Sequence, residues 1–133
     1  MGLEVLIVDD DAMVILIHKK MIINSAFHPN PLSFFNGKEA LDHLLNEKDK
    51  SKTFLILLDI NMPVMNGWEF LNMLKERPVP NNIQVAIVTS SIDTEDKEKA
   101  RQYRHVIRYI EKPLNREKLE QLKGHPALET FFL

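Results

Sequence analysis

The fold of this chain is decided by one stretch of sequence, Phe54-Leu55-Ile56-Leu57-Leu58-Asp59. Five consecutive apolar residues are typical of a strand that is buried on both faces, as in a parallel sheet covered by helices. Three other short apolar runs, at positions 5–8, 85–88 and 106–110, predict further strands. A weaker candidate at 32–35 follows two prolines, which favours an edge position in the sheet.

Helical patterns fill the segments between these runs. Apolar residues recur three or four positions apart in four segments: Met13, Leu16, Ile17 and Met21; Ala40, Leu41, Leu44 and Leu45; Phe70, Leu71 and Leu74; Leu119 and Leu122. Asn36 and Asn66 each precede a glutamate by three residues, which predicts two capping boxes. Gly124 is expected to end the last helix. The mostly charged segment 93–103 predicts a fifth, weakly packed helix.

Strands and helices therefore alternate five times. This alternation predicts an α/β fold, a doubly wound five-stranded parallel sheet with right-handed crossovers and helices on both faces. The 133 residues fit a single domain, 1–133, with a core of about residues 3–124 and a C-terminal tail at 125–133. The tail contains Phe131 and Phe132, which we expect to cover the body of the domain.

Composition excludes several classes of function. The net charge of -2 argues against a broad basic surface for nucleic acid, and the absence of cysteine excludes disulfides and thiolate chemistry. No apolar run approaches the ~20 residues of a membrane helix, and the first residues lack the pattern of a signal peptide. We therefore expect a cytoplasmic protein that binds neither nucleic acid nor a membrane.

Acidic residues follow two of the predicted strands. Asp9, Asp10 and Asp11 end the first strand, and Asp59 ends the third. The carboxyl ends of parallel strands share one edge of the sheet, where ligands bind in open α/β folds. If these two strands are neighbours, ~4.8 Å apart, the carboxylates repel one another, and a hard divalent cation such as Mg²⁺ would relieve the repulsion.

A hydroxyl and an amine are predicted at the same edge. Thr89 ends the fourth strand and Lys112 follows the fifth, from which its flexible side chain can extend toward Asp59. A carboxylate nucleophile with a metal ion, a lysine and a hydroxyl around it is the arrangement that phosphoryl transfer requires. The sequence therefore predicts Asp59 as a phosphoacceptor.

Four motifs in order make the chain resemble the response regulator receiver domains of two-component signalling. They are Leu6-Ile-Val-Asp-Asp10, Leu58-Asp-Ile-Asn-Met-Pro63 with Asn66-Gly67, Val88-Thr-Ser90 and Tyr109-Ile-Glu-Lys-Pro113. The resemblance covers nearly the whole chain and implies the flavodoxin-like strand order 2-1-3-4-5. It also implies a cis peptide bond between Lys112 and Pro113.

The resemblance implies a role for each matching residue. Asp59 accepts a phosphoryl group from a histidine kinase or a phosphotransfer histidine. Asp10 binds Mg²⁺ directly, Asp9 binds it largely through water, and Asp59 and the backbone carbonyl of Asn61 complete the protein ligands. Thr89 and Lys112 contact the phosphoryl oxygens. Thr89 and Tyr109 are the switch residues, with Tyr109 turning inward when Thr89 moves toward the phosphate.

The predicted function is that of a stand-alone response regulator that catalyses only its own phosphorylation and dephosphorylation. It would signal by phosphorylation-dependent binding to a downstream protein. The alternatives are a phosphate sink in a relay and a phosphotransferase of the haloacid dehalogenase type, although that class needs an acid where Asn61 stands.

Some of these residues, taken singly, also have an ordinary structural explanation. Asp11 can cap the first helix, and Tyr109 can be ordinary packing. The five histidines show no ligand spacing, so all of them are expected to be structural or to lie at the surface.

Overall fold

Five parallel strands form one sheet in the computed structural model, which describes residues 2–133. The strands are β1 (Leu3–Val8), β2 (Leu32–Phe34), β3 (Thr53–Leu58), β4 (Asn82–Thr89) and β5 (Val106–Glu111). Their order is β2-β1-β3-β4-β5, which confirms the predicted flavodoxin-like sheet with β2 at an edge. β3 lies at the centre, and every one of its residues is buried.

Helices cover both faces of this sheet, as predicted. They are α1 (Ala12–Asn24), α2 (Gly37–Leu45), α3 (Gly67–Glu76), α4 (Thr94–Ala100) and α5 (Arg116–Lys123), followed by a 3₁₀ helix at Glu129–Phe132. Side chains of α2, α3 and α4 share a core with Phe54, Ile56 and Leu58, whereas α1 and α5 share a second core with Leu55 and Leu57. Successive residues of β3 enter opposite cores, which is why its sequence is apolar without alternation.

Aspartate or asparagine side chains cap the starts of four helices near the carboxyl edge of the sheet: α1, α2, α3 and, through Asn115, α5. The carboxylate of Asp11 accepts from the backbone N–H of Met13 at 2.9 Å, which confirms its capping role. Asn66 and Glu69 form the complete reciprocal capping box. Asn36 accepts from the N–H of Glu39 at 2.9 Å. The reciprocal bond from the Asn36 N–H to the Glu39 side chain is absent. The capping box predicted at Asn36 is therefore only half formed.

The helix predicted at 93–103 is shorter in the structure. α4 ends at Ala100, the only buried residue of that helix. Continuing the helix would bury little apolar surface, and short helices depend on such packing. Tyr103 instead lies in the following turn, where its ring stacks on Trp68 with centroids 5.9 Å apart and its hydroxyl donates to Asn72 at 2.8 Å.

The C-terminal residues pack against the face that carries α1 and α5. Leu128 is fully buried, and the ring of Phe132 lies 4.8 Å from that of Phe27. Lys123 donates to the carbonyl of Ser25 at 2.7 Å and lies over the Phe132 ring. Phe132 therefore covers the body of the domain, as predicted. Among residues 2–133, no helix has the length and apolarity needed to span a membrane.

Candidate functional site

Asp59 is the first residue after β3, the central strand. Its N–H donates to the carbonyl of Val8 at 2.9 Å, and its own Oδ1 accepts from the N–H of Ile60 at 2.8 Å. The residue is 7% exposed. One carboxylate oxygen is thus held by the backbone, and Oδ2 is left for the other groups of the site.

Asp9 is held in a similar way at the end of β1. Its N–H donates to the carbonyl of Phe34, and its Oδ1 accepts from the N–H of Asp11 at 2.9 Å. Because β1 and β3 are neighbours, carboxylate oxygens of Asp9, Asp10 and Asp59 lie within 4.8 Å of one another. Asp9 is buried and Asp10 is exposed. The predicted acidic cluster is therefore brought together, with Asp10 on its solvent side.

Lys112 joins the two buried carboxylates. Its amine lies 2.8 Å from Oδ2 of Asp9 and 3.4 Å from Oδ2 of Asp59. The sequence predicted contact with Asp59; the structure adds a closer contact with Asp9. Lys112 directly follows β5, and the peptide bond between Lys112 and Pro113 is cis, as predicted.

The pKa shifts at the site have two causes, the burial of the charged groups and the charges that surround them. Burial raises the pKa of the Asp59 carboxyl, and the charge of Asp9 raises it further, whereas Lys112 and the Thr89 hydroxyl act in the opposite direction. Burial alone would lower the pKa of Lys112. The hydrogen bond to Asp9 and the charges of both acids outweigh burial, so the pKa of Lys112 is raised. Three carboxylates against one amine leave excess negative charge.

Thr89 and Tyr109 lie on the β4 and β5 side of the acidic cluster. Thr89 is fully buried at the end of β4. Tyr109 is half-buried on β5, and its hydroxyl donates to the carbonyl of Ser91 at 3.0 Å. Burial raises the pKa of the Tyr109 phenol, which favours the protonated donor form. Tyr109 and Ser91 are eighteen residues apart, so their contact depends on the tertiary structure.

The loop after Asp59 is tightly closed. The N–H of Gly67 donates to the carbonyl of Ile60 at 2.8 Å, and a Cβ at Gly67 would lie 2.7 Å from the Asp59 carbonyl oxygen. Asn61 is exposed within this loop. Val64, also exposed, has a φ of 71°, which is rare for a β-branched residue. The loop is therefore built around a close backbone approach that only glycine permits.

The sequence is similar to known proteins of two-component signalling. The family model of the response regulator receiver domain matches residues 5–122. The two-component response regulator ARR22 of Arabidopsis thaliana is 32% identical over 123 residues, which cover 92% of this chain and 82% of the relative.

The chain belongs to the response regulator receiver domain family.

Solved structures agree with this assignment. A two-component response regulator from Cytophaga hutchinsonii has a TM-score of 0.81 at 30% identity and covers 96% of this receiver domain and 97% of its own chain. The receiver domain of the sensor histidine kinase PA1611 from Pseudomonas aeruginosa shares the fold, with a TM-score of 0.74 at 18% identity over 96% and 98% of the two chains. That protein was solved with a magnesium ion coordinated in its active site cleft.

Several curated relatives are longer than this chain. It spans less than two thirds of some curated proteins that it matches, 29% in one case and 56% in another. The shared part is the receiver domain of two-component signalling proteins.

His18 is a site neighbour that the sequence interpretation missed. It is 5% exposed on α1 and close enough to the site for the charges of Asp9 and Lys112 to act on its pKa. The buried residues of α1 are Ile15, His18 and Ile22, a spacing of three and four. That helical periodicity places His18 among the inward-facing residues and was the available signal.

We expect His18 to make the stability of this receiver domain sensitive to acid. Burial lowers the pKa of His18 below its ordinary value of 6.5. Burial and the charge of Arg104 together lower the pKa of His105. Below pH 6.5 these two histidines bind more protons in the unfolded chain than in the folded chain, so their contribution to the free energy of unfolding falls as the pH falls. Urea unfolding between about pH 8 and about pH 5.5 measures this slope.

The matched variants are His18→Gln and His105→Gln. Each is expected to remove part of the loss on acidification, and the double variant should remove more than either. A His18→Gln slope equal to that of the unsubstituted domain would contradict the assignment of His18.

Proposed function

We propose that this receiver domain accepts a phosphoryl group on Asp59 from a phosphohistidine of a histidine kinase or phosphotransfer protein. The observation that carries the proposal is the orientation of the two buried carboxylates. Asp9 and Asp59 each have one oxygen held by a backbone N–H and the other directed at the amine of Lys112. A nucleophile and its counter-charge are thus fixed before a donor binds, which is the main requirement of phosphoryl transfer.

The chemical step is a substitution at phosphorus. One carboxylate oxygen of Asp59 forms the new O–P bond as the P–N bond of the donor breaks, and the leaving imidazole nitrogen keeps the electron pair and takes up a proton from solvent. The product is an acyl phosphate. We assign Lys112 and Thr89 to the equatorial phosphoryl oxygens, where an ammonium group and a hydroxyl neutralise and bind the added negative charge.

The acidic cluster fits Mg²⁺. Three carboxylates share a space 4.8 Å wide, and one amine offsets only part of their charge. Oxygen donors of this number suit a hard cation that keeps some of its water. We propose Asp10 and Asp59 as direct ligands, Asp9 as a ligand through water and the carbonyl of Asn61 as a further ligand. When bound, Mg²⁺ would neutralise charge on the acceptor and the phosphoryl oxygens.

Signal output, in this proposal, is phosphorylation-dependent binding of a downstream protein. The switching element is α4 with the start of β5. Two observations support this assignment. Only Ala100 of α4 is buried, so the helix is weakly packed, and Tyr109 donates a hydrogen bond to the loop before α4. A phosphoryl group adds negative charge at one end of this region and can bias two arrangements of it. The role as a stand-alone domain in the cytoplasm stays a prediction from the sequence.

Intact-mass measurement with acetyl phosphate and Mg²⁺ tests the proposal. We expect the mass to increase by one phosphoryl group, and excess EDTA should suppress the gain because the acidic cluster then keeps its uncompensated charge. Calcium in place of Mg²⁺ serves as a control for a hard cation that prefers more ligands at longer distances. A chain that gains no mass under any of these conditions would contradict the acceptor function.

A further inference from the structure

A groove lies at the amino edge of the sheet, between the end of α3 and the turn that joins α4 to β5. Its two parts have volumes of about 300 and about 260 Å³, and Arg104 and His105 line both of them. Together they reach the size range of small-molecule sites. β4 extends over eight residues from Asn82 to Thr89. This amino-edge groove therefore lies roughly 20 Å from the acidic cluster.

Cations and amides line the amino-edge groove. Lys75 and Arg104 supply positive charge, and Asn81, Asn82 and Gln84 supply amide groups. None of the acids in the described part of the chain lines it, although the chain has 19 acids against 17 lysines and arginines. The groove is therefore locally positive on a chain whose net charge is negative.

The two cations of the groove are not neutralised by neighbours. Lys75 and Arg104 are exposed, and neither forms an ion pair with an acid among residues 2–133. Both line the same part of the groove, so an anion between them would relieve their repulsion. A guanidinium group also offers paired N–H donors that match two oxygens of a phosphate.

Apolar side chains lie beside these cations. Pro78 and Val79 line the larger part of the groove, and Tyr103 lines the smaller part. The Tyr103 ring stacks on Trp68 with centroids 5.9 Å apart, and its hydroxyl donates to Asn72 at 2.8 Å. Tyr103 is thus fixed in place, and such a preformed wall suits the ring of a ligand that also carries charge.

Asn81 adds a buried acceptor that the protein leaves without a donor. Its Nδ2 donates to the carbonyls of Asp49 at 2.8 Å and Lys52 at 3.1 Å. Its Oδ1 is the single buried side-chain polar atom of the described residues that has no hydrogen-bond partner. Burial and the charge of Arg104 lower the pKa of His105, so its neutral ring can donate or accept. A ligand with a hydrogen-bond donor would supply the missing bond.

We propose that the amino-edge groove binds a small phosphate ester of mononucleotide size, with the phosphate on Arg104 and Lys75 and the ring against Tyr103. A phosphate monoester carries up to about two negative charges near pH 7, which matches the two cations better than a single carboxylate does. Gln84, held by its bond to Asn82 at 2.9 Å, presents an amide to the polar edge of the ring. This site needs no phosphoryl transfer to Asp59 and is independent of the proposed function.

The experiment titrates the chain with adenosine monophosphate and follows binding by calorimetry and by tryptophan emission. Trp68 is the only tryptophan of the chain and stacks on Tyr103, so its emission reports on the groove. Adenosine and inorganic phosphate, titrated separately, are the two halves of the probe. EDTA is present throughout, so that no divalent cation can hold the phosphate at the acidic cluster.

We expect adenosine monophosphate to bind at least about tenfold more tightly than either half, because each half makes only part of the contacts. Arg104→Gln should weaken binding at least about tenfold, and Lys75→Gln should weaken it less, since an exposed ammonium group makes a weaker contact. Arg101→Gln is the matched control, because Arg101 is an exposed arginine of the same segment that does not line the groove. It should stay within about twofold. Phosphoryl uptake from acetyl phosphate should be unchanged in all three variants.

Several outcomes would overturn the site. They are no binding of adenosine monophosphate up to millimolar concentration, and equal binding of inorganic phosphate, which would mean an anion site only. Equal losses in Arg101→Gln and Arg104→Gln would mean unspecific attraction between charges. Loss of binding in Asp59→Asn would place the nucleotide at the acidic cluster instead. Urea unfolding checks that Arg104→Gln is folded, and Arg104→Lys, which keeps the charge without the paired donors, should bind with intermediate affinity.

Discussion

Replacing Asp59 with asparagine is expected to abolish phosphoryl uptake from acetyl phosphate. An amide oxygen at this position keeps the shape of the side chain, and the bond from the Ile60 N–H at 2.8 Å can persist. An amide is not a nucleophile toward phosphorus, and it removes one of the three carboxylates of the acidic cluster. Intact mass after incubation with Mg²⁺ and acetyl phosphate measures the loss.

The same substitution is expected to stabilise the folded domain when Mg²⁺ is absent. Burial disfavours the charged form of Asp59, and the neighbouring charge of Asp9 adds to that effect. A neutral side chain relieves both, against the loss of the longer contact with Lys112 at 3.4 Å. We expect a gain of about 0.5–2 kcal/mol in urea unfolding, as is common when a functional site is neutralised.

Asp11→Asn is the control for loss of a single acid. Asp11 lies next to the cluster and caps α1, and asparagine caps equally well. This variant should take up phosphate normally. Uptake that survives Asp59→Asn, or that disappears in Asp11→Asn, would contradict the assignment of the acceptor.

Replacing Gly67 with alanine is expected to damage both stability and the site. The added Cβ would lie 2.7 Å from the carbonyl oxygen of Asp59 and 2.8 Å from Cα of Ile60, and backbone atoms cannot move aside cheaply. Forced overpacking of this kind costs about 1–3 kcal/mol. The displaced segment carries the acceptor, so the rate of uptake should fall by about 10²-fold for a shift near 1 Å.

Gly124→Ala is the matched control. Gly124 caps α5 with a φ of −81°, and a Cβ there would meet only the carbonyl of Gln121 at an ordinary 3.6 Å. Stability and uptake should both remain near those of the unsubstituted chain. Equal behaviour of the two alanine variants, measured by urea unfolding and intact mass, would contradict the close approach at Gly67.

The predictable part of the fold followed from the apolar runs. The continuous run of β3 predicted a strand between two helical layers, and its residues do enter opposite cores. The extent of α4 could not be predicted in the same way. Helical propensity alone does not stop the charged segment 93–103, and the end at Ala100 reflects the lack of apolar surface beyond it.

The candidate site was predictable in its members and less so in its contacts. Asp9, Asp59 and Lys112 could be brought together because parallel strands end at one edge of a sheet. The closer contact of Lys112 with Asp9 depends on the path of its flexible side chain, which no local pattern encodes. The same limit applies to Ser91, whose partners lie two, five and eighteen residues away.

The sequence by itself determined the alternation of strands and helices, the acids and the lysine at the strand ends, and membership of the receiver family. These features are local or follow from strand periodicity, so they can be read without coordinates. Only the tertiary structure decided that His18 lies near enough to Asp9 for that charge to act on its pKa, that Gly67 closes against Asp59, and that Ser91 joins Thr89, Tyr109 and Asp96. Such contacts join residues distant along the chain, and their geometry is set by how the helices and loops pack around the sheet.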